Sequence, residues 1–502
     1  MKNILFTSAS IAALFVAAPA LAAGDNVSTV SQTGNAQAAT VNQTGSNDVS
    51  TIDQQNASNT ALVNQKGTTG GSSYIQQTGT GNSATVASQE DDGSLYPGGQ
   101  SAEGGSYPPG AFPISVSSIV QGGSNNTATV TQNTKTSALA NTSGINQSGN
   151  GNAATVKQYD DFQTSSIDQS TDNNTATVTQ GINNGADNSY GNSSAVAQAG
   201  TGGNTALVTQ TGIFGISSVS QNGGGGAATV TQHDGSQNAS SYITQSGNTD
   251  QATVDQSGDT QYSSIDQSGN NEVAKVTQDG ALNVSGISQS GPGNWAEVDQ
   301  SGTSNVSSIS QSSTGPTYLS EGEFPSDTGY AYVEQVGTGN NSSVSQSGAS
   351  NWAVLSQDGA GNGSSINQTG SGTYANVDQI GTTNSSNVTQ SGTANNLNMA
   401  VGISQDGLSN VSNVLQSGSA TELNSTENTV NVDQTGERNN SYVDQSGVDN
   451  ETRIFADGND NVSTVLQSGS DNHAYVNQGS DNNYSSVVQS GTNSTATVNQ
   501  GM

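Results

Sequence analysis

The side chains best able to do chemistry are scarce in this sequence. There is no cysteine, so neither a disulfide nor a thiolate metal site can form. Two histidines, His233 and His473, are too few for most zinc or acid–base sites. Carboxylates recur just before glutamine, at Asp53, Asp168, Asp255, Asp266, Asp299, Asp378, Asp433 and Asp444. They are hard oxygen ligands suited to calcium. The calcium-binding nonapeptide repeat is absent, however, and neighbouring repeats rarely both carry Asp, so solvated gatekeepers against premature aggregation fit them better. Gly223–Gly226 has no lysine partner and opens no helix, so it is not a phosphate cradle. Nowhere do a nucleophile, a base and an orienting acid come together. The expectation is no catalytic residue, no cofactor and no metal, hence not an enzyme. What remains is amide chemistry, the hydrogen bonding of Gln and Asn.

Composition narrows the partners. The 502 residues carry 39 acidic and 7 basic side chains, a net charge of −32. Nucleic acid and anionic lipid both demand a basic surface, so neither is expected. Only 29% of residues are hydrophobic, a level that by composition alone points to disorder. The first 22 residues read as a signal peptide: Lys2, an apolar stretch Ile4–Ala17, and small Ala20 and Ala22 flanking Leu21 before cleavage. That stretch is shorter than the roughly 20 residues of a membrane span. No transmembrane segment is expected in the mature chain, 23–502.

Order comes from repetition. A β-branched residue, any residue and Gln recur every eleven positions from Val30-Ser31-Gln32 to Val498-Asn499-Gln500, in 38 units. Two units are degenerate: Gln89 is displaced by one, and Ala456 replaces the Gln after Ile454. Four residues before the Gln, Ser and Ala alternate (Ser28, Ala39, Ser50, Ala61), so the true repeat is about 22 residues, occurring 19 times. Within a unit, Asn, Ala or Ser, Val or Ile, and Gln lie two apart and share one face of a strand. The fold expected is all-β, a β-solenoid or cross-β stack of about 19 two-strand rungs. Rungs are expected over about 26–89, 114–311 and 330–500, with proline-bearing loop insertions over about 90–113 and 312–328. Smaller expansions fall at 181–191 and 417–429.

Inward amides need partners. Stacked at about 4.8 Å, each can donate to one neighbour and accept from the other, giving Gln and Asn ladders. A buried Val or Ile adds only about 1.5–3 kcal/mol, too little to order 22 residues alone. Glycine two after the Gln, as at Gly269 and Gly302, is expected to supply a positive φ in the turn.

The full pattern resembles the curlin repeat of bacterial curli fibre subunits. Ser143, Gln147, Gly149, Asn152, Ala154, Val156 and Gln158 carry it, as do Ser285, Gln289, Gly291, Asn294, Ala296, Val298 and Gln300. Ser263, Ile265, Gln267, Gly269, Ala274, Val276 and Gln278 form an equivalent rung. These are the expected inward ladder residues. The resemblance implies secretion through the periplasm to the bacterial cell surface and polymerisation with itself into extracellular amyloid for biofilm and adhesion. It also implies a nucleator subunit and an outer-membrane secretion channel as partners. The alternative is a monomeric solenoid adhesin. Its ends would carry polar caps, and the array shows none from just past Ala22 to Gln500, which favours the polymer. Thr-x-Thr-x-Thr runs at 127–131 and 175–179 resemble ice-binding solenoids. Equivalent positions elsewhere hold Trp295, Glu297 and Asp299, or Tyr330, Tyr332 and Glu334, so a uniform threonine face is not expected.

Overall fold

A computed structural model describes residues 25–45, 47–66, 70–90, 115–134, 141–182, 189–312, 329–392, 399–418 and 428–501. The signal-peptide reading with Ala20 and Ala22 lies outside these residues. So do the loop insertions beyond Glu90 and Ser312, which end strands.

Among the described residues the chain forms 38 strands, numbered β1 to β38 in order, of six to ten residues each. In the interior strands burial alternates up to the Gln, as in Thr175–Gln180, where Ala176, Val178 and Gln180 are buried and the threonines between face out. Period-two alternation rich in Val, Ile and Thr dictates this. Within each of the two units described below, the pairings are parallel and join a strand to the one two further on, with like residue over like: Val27 over Val49, Gln32 over Gln54. The expected two-strand rungs are therefore present, stacked as a β-solenoid.

Two compact units divide the chain at Ala239 and Ser240. The first runs from β1 (Val27–Asn35) to β16 (Ala227–Gln232), the second from β17 (Ser240–Gln245) to β38 (Thr495–Gln500). In each, odd strands build one parallel ladder and even strands another. Between them lies a thin core in which Ile52, Val63, Ile265, Val276 and Val298 have at most 1% of their surface exposed. Insertions do not disturb register. Gln77 pairs with Gln121 across 44 residues, and Ile309 with Val344 across 35. A slip of one residue would turn every core residue outward.

Candidate functional site: the amide ladders

The glutamine ladders take the expected form. In the first unit Gln32 Nε2 donates to Gln54 Oε1 at 2.7 Å, and the relay continues through Gln77, Gln121, Gln147, Gln169, Gln198 and Gln221. In the second, Gln267, Gln289 and Gln311 form one column and Gln278, Gln300 and Gln335 the other, at 2.7–2.9 Å. Gln158 donates to Gln180 at 3.0 Å. The second N–H crosses to the facing sheet, as Gln147 Nε2 to Thr127 O (3.1 Å) and Gln289 Nε2 to Val273 O (3.0 Å). Where the column is unbroken, the ladder Gln is thus satisfied along the stack and across it. The direction is uniform: Nε2 always points toward the higher-numbered rung.

The asparagine columns differ from expectation. Amide bonds amide only near the last rungs, Asn472 Nδ2 to Asn450 Oδ1 at 3.0 Å and Asn483 Nδ2 to Asn461 Oδ1 at 3.1 Å; elsewhere the partners are mostly main chain. Asn126 Oδ1 accepts the backbone N–H of Asn152 and Asn152 Oδ1 that of Asn174, both at 2.8 Å. Asn126 Nδ2 donates to Gly149 O of the next rung at 2.8 Å. The shorter side chain reaches mostly main chain, so it clamps turns where Gln spans rungs. Asn152 and Asn294 are buried in this way, as are Ser143, Ala154, Val156, Ser263, Ala274, Ser285 and Ala296.

The glycines need correction. Gly302 and Gly291 have φ of +112° and +107°, but Gly149 and Gly269 do not enter the positive region. A Cβ on Gly269 would lie 1.9 Å from Gly291 O, and one on Gly149 2.2 Å from Thr171 O. Close approach of the next rung, not backbone handedness, requires glycine there. Gly149 is buried, whereas Gly269 and Gly291 are half-buried at the turn, not inside the core.

Breaks in the ladder explain the alternating serine. Ser88, not Gln89, takes the ladder position, pairing with Gln65 and Gln132. It is too short, and Gln65 Nε2 is left buried without a partner. Ser88 Oγ reaches Gln132 Oε1 only at 3.4 Å, and that oxygen accepts its short hydrogen bond from Ser117 Oγ at 2.8 Å. At Ala456, Gln434 Nε2 turns to Ser441 Oγ (2.9 Å) and Gln478 Oε1 accepts from Ser463 Oγ (2.8 Å). In the first described rung Ser28 Oγ donates to Gln43 Oε1 at 2.7 Å. Where the ladder is intact, the equivalent hydroxyls of Ser50, Ser263, Ser285 and Ser307 are buried and unpartnered. The serine is thus a reserve hydrogen-bonding group for a missing amide. Thr452, which donates to Gln467 Oε1 within an intact column, departs from this rule. So do Ser143 and Ser165, which accept long bonds of 3.5 and 3.4 Å from Gln132 and Gln158, whose amides also continue their ladder.

Sequence reasoning missed three carboxylates in asparagine positions, six residues before the Gln: Asp48, Asp250 and Glu272, all fully buried. Aligning the units on the Gln is the signal that finds them. Asp250 and Glu272 are neighbours in one column, with Glu272 N donating to Asp250 Oδ1 at 3.1 Å. An Asn there would aim Nδ2 at the glycine carbonyl of the next rung, as Asn283 does to Gly302 at 3.2 Å. Asp250 offers Oδ2 instead, buried with no hydrogen bond of good geometry. Burial pushes its pKa up to about 6, against the pull of the Glu272 and Gly247 amides. Glu272 accepts from Gly269 N at 2.9 Å and Asn294 Nδ2 at 3.3 Å. Burial, reinforced by Asp250 and Asp266, raises it to about 7.

Outside, the eight aspartates that precede Gln face solvent or lie half-buried, and among the described residues no three acidic or histidine side chains could share a metal. Neighbouring rungs do bring acids together across an insertion, Asp299 beside Glu334. Burial raises the Asp299 pKa, with Lys275 opposing and Glu297 and Asp279 adding. Trp295, Tyr330, Trp352 and Tyr374 form an aromatic column, with ring centroids 6.5, 4.6 and 6.5 Å apart. Near the last rungs Glu451 accepts from Tyr475 Oη at 2.8 Å and pairs with Arg453 at 2.6 Å and with His473 at 3.0 Å. Burial alone would raise the Glu451 pKa, but these partners hold it below the usual range. Parity placed each of these side chains outside, but pairing between distant units was needed to group them.

No curated protein matches the chain. The model of the curlin associated repeat matches residues 247–280, 343–370 and 426–455. The first match holds Asp250, Glu272 and the Gln256–Gln278 hydrogen bond, so the family pattern falls on the ladder itself. Repeat, register and ladder agree with the curlin associated repeat that the chain carries in these three stretches.

Proposed function

We propose that this chain is a secreted structural subunit that polymerises with itself into curli-like extracellular amyloid fibres, serving biofilm matrix and surface adhesion. The observation that carries the reading is the state of the terminal rungs. Ser28, Val30 and Gln32 occupy ladder positions that are buried in the interior rungs, yet β1 is exposed along its whole length and Val30 is 48% exposed. In β38, Ala496, Val498 and Gln500 are half-exposed. An uncovered strand edge is a template for another strand. The uniform amide direction adds polarity: the first rung presents Oε1 and the last Nε2, so copies would join head to tail, β37 (Tyr484–Thr492) and β38 over β1 and β2 (Ala38–Gln43) of the next. At about 4.8 Å per rung, 19 rungs would extend a fibre by roughly 90 Å per subunit.

Residues 1–22 would direct export, with cleavage after Ala22, and residues 23–502 would form the repeat array. A nucleator subunit and an outer-membrane channel would be its assembly partners. The role is structural and not catalytic. The test is a time course on the mature chain by thioflavin fluorescence, with fibre diffraction at the endpoint. Lag, growth, loss of the lag on seeding and a meridional reflection at about 4.8 Å support the reading. A stable β-rich monomer indifferent to seeds would replace it with the monomeric adhesin.

A further inference from the structure

Strand pairing in the first unit gathers threonines that are scattered in sequence. Five successive even strands, β8 (Thr127–Thr134), β10 (Ala153–Tyr159), β12 (Thr175–Gln180), β14 (Thr205–Gln210) and β16, stack in register without an offset. Each presents three outward positions ahead of its Gln. Eleven of those fifteen are threonine, and all fifteen are exposed or half-exposed. The exceptions are Ala153, Lys157, Leu207 and Ala227. β-Propensity does not account for this. On the facing odd strands of the same unit, β7 (Val116–Gln121), β9 (Thr142–Gln147), β11 (Thr164–Gln169), β13 (Ser193–Gln198) and β15 (Ile216–Gln221), only Thr142 and Thr164 of the fifteen equivalent positions are threonine.

The geometry is that of a grid. Stacked strands set one spacing at about 4.8 Å, and alternate residues along a strand set the other at about 6.6 Å. Hydroxyl and methyl groups are repeated on both axes, because a β-branched side chain is stiff at χ1 and columns of like residues adopt like rotamers. The core beneath is locked by the Gln132, Gln158, Gln180, Gln210 and Gln232 ladder at 2.8–3.0 Å, so the grid does not flex with solvent. A methyl orders the water around it, and a hydroxyl fixes that water by hydrogen bonds. Both spacings are close to oxygen repeats on the surfaces of ice. One cation in fifteen positions leaves little charge to draw water into competing hydration shells.

We infer that the outer threonine face of β8, β10, β12, β14 and β16 is an ice-binding surface, whose ligand is the crystal lattice of water itself. Its best part is the pair of columns nearest the Gln, with Thr129 and Thr131, Thr177 and Thr179, and Thr229 and Thr231 complete, and with Lys157 and Leu207 as single faults. The surface runs beside the fibre axis of the proposed assembly and does not depend on it. It would work in monomer or fibre.

The experiment is ice-crystal shaping and thermal hysteresis on the full mature chain, soluble and after assembly, beside recrystallisation inhibition. Faceted crystals and a measurable hysteresis gap are expected. Thr177→Lys with Thr179→Lys should abolish the gap, while Ser166→Lys on the facing odd sheet leaves it intact. Lys157→Thr with Leu207→Thr, which repairs both faults, should widen it at least about twofold. All substitutions point outward, and circular dichroism confirms the fold in each. Round, unfaceted crystals from the parent chain at every soluble concentration would overturn the inference, as would hysteresis indifferent to the Thr177 and Thr179 changes. Failure of seeding would count only against the fibre.

Discussion

Raising the pH from 4 to 8 should loosen the rungs around Asp250 and Glu272 more than any others in the second unit. Both carboxyls are held above their ordinary values, Asp250 from 3.8 to about 6 and Glu272 from 4.5 to about 7, chiefly by burial. Between about pH 4 and 7 the folded pair keeps protons that the unfolded chain has already released. Stability contributed by the pair is therefore full below pH 4 and falls as the pH climbs through 6 and 7. One pKa unit corresponds to about 1.4 kcal/mol, so the two rises would come to about 6 kcal/mol if unscreened. The turn residues beside the pair, Asn248, Thr249 and Asn270, are exposed, and halving for screening leaves about 3 kcal/mol. The chemistry agrees with the sign: protonated, Asp250 Oδ2 becomes the donor that an Asn would supply to the next rung. Amide hydrogen exchange gives the local measurement. Protection in β18 (Gln251–Asp259) and β20 (Val273–Ala281), relative to β33 (Asn440–Val448) and β35 (Val462–Ser470), should drop about a hundredfold between pH 4 and 8 after correction for intrinsic rates. Asp250→Asn should remove about half of that drop. Equal pH dependence in both regions, or no effect of Asp250→Asn, would refute the reasoning.

Assembly should quicken with salt near neutral pH, because a charge of −32 per chain opposes stacking and is screened over about 8–10 Å; fluorescence growth rates equal in low and high salt would count against it. Ser263→Ala and Ser285→Ala should be neutral or stabilising in denaturant melts, since each removes a buried hydroxyl without a partner. Ser463→Ala, by contrast, should cost about 1–2 kcal/mol, because Gln478 Oε1 would lose its donor opposite Ala456. Gln300→Ala should cost about 2 kcal/mol alone and about 1–2 kcal/mol more when Ser285 and Ser307 are also alanine, as their hydroxyls could no longer stand in for the amide. Strict additivity in that cycle would remove the reserve role from serine.

How far the sequence could be read depends on which contacts its period fixes. Strand parity follows from two-residue spacing within a unit, so Val156, Val276 and Gln300 could be placed inward from local sequence alone. Register follows as well, since the Gln recurs at a fixed phase and reappears at Gln121 and Gln346 after insertions. The period does not encode reach. Gln and Asn share an amide, but the extra methylene lets Gln bridge rungs along each unbroken column, while Asn in its columns mostly clamps a turn and bridges only at Asn450–Asn472 and Asn461–Asn483. That difference lies in the three-dimensional structure. Nor does it encode which units become neighbours once an insertion intervenes: Asp299 and Glu334 are 35 residues apart yet adjacent, so a count of aspartates in successive units missed their pairing. The serine alternation was plain in the sequence, but its cause was not. A hydroxyl that is idle in Ser285 and engaged in Ser463 acquires meaning only beside the faults at Ser88 and Ala456. Those faults, with the carboxylates at Asp250 and Glu272, break the repeat's own rule without breaking its register. The array therefore tolerates substitution at a ladder position when a neighbouring hydroxyl, or a proton, can supply the missing hydrogen bond.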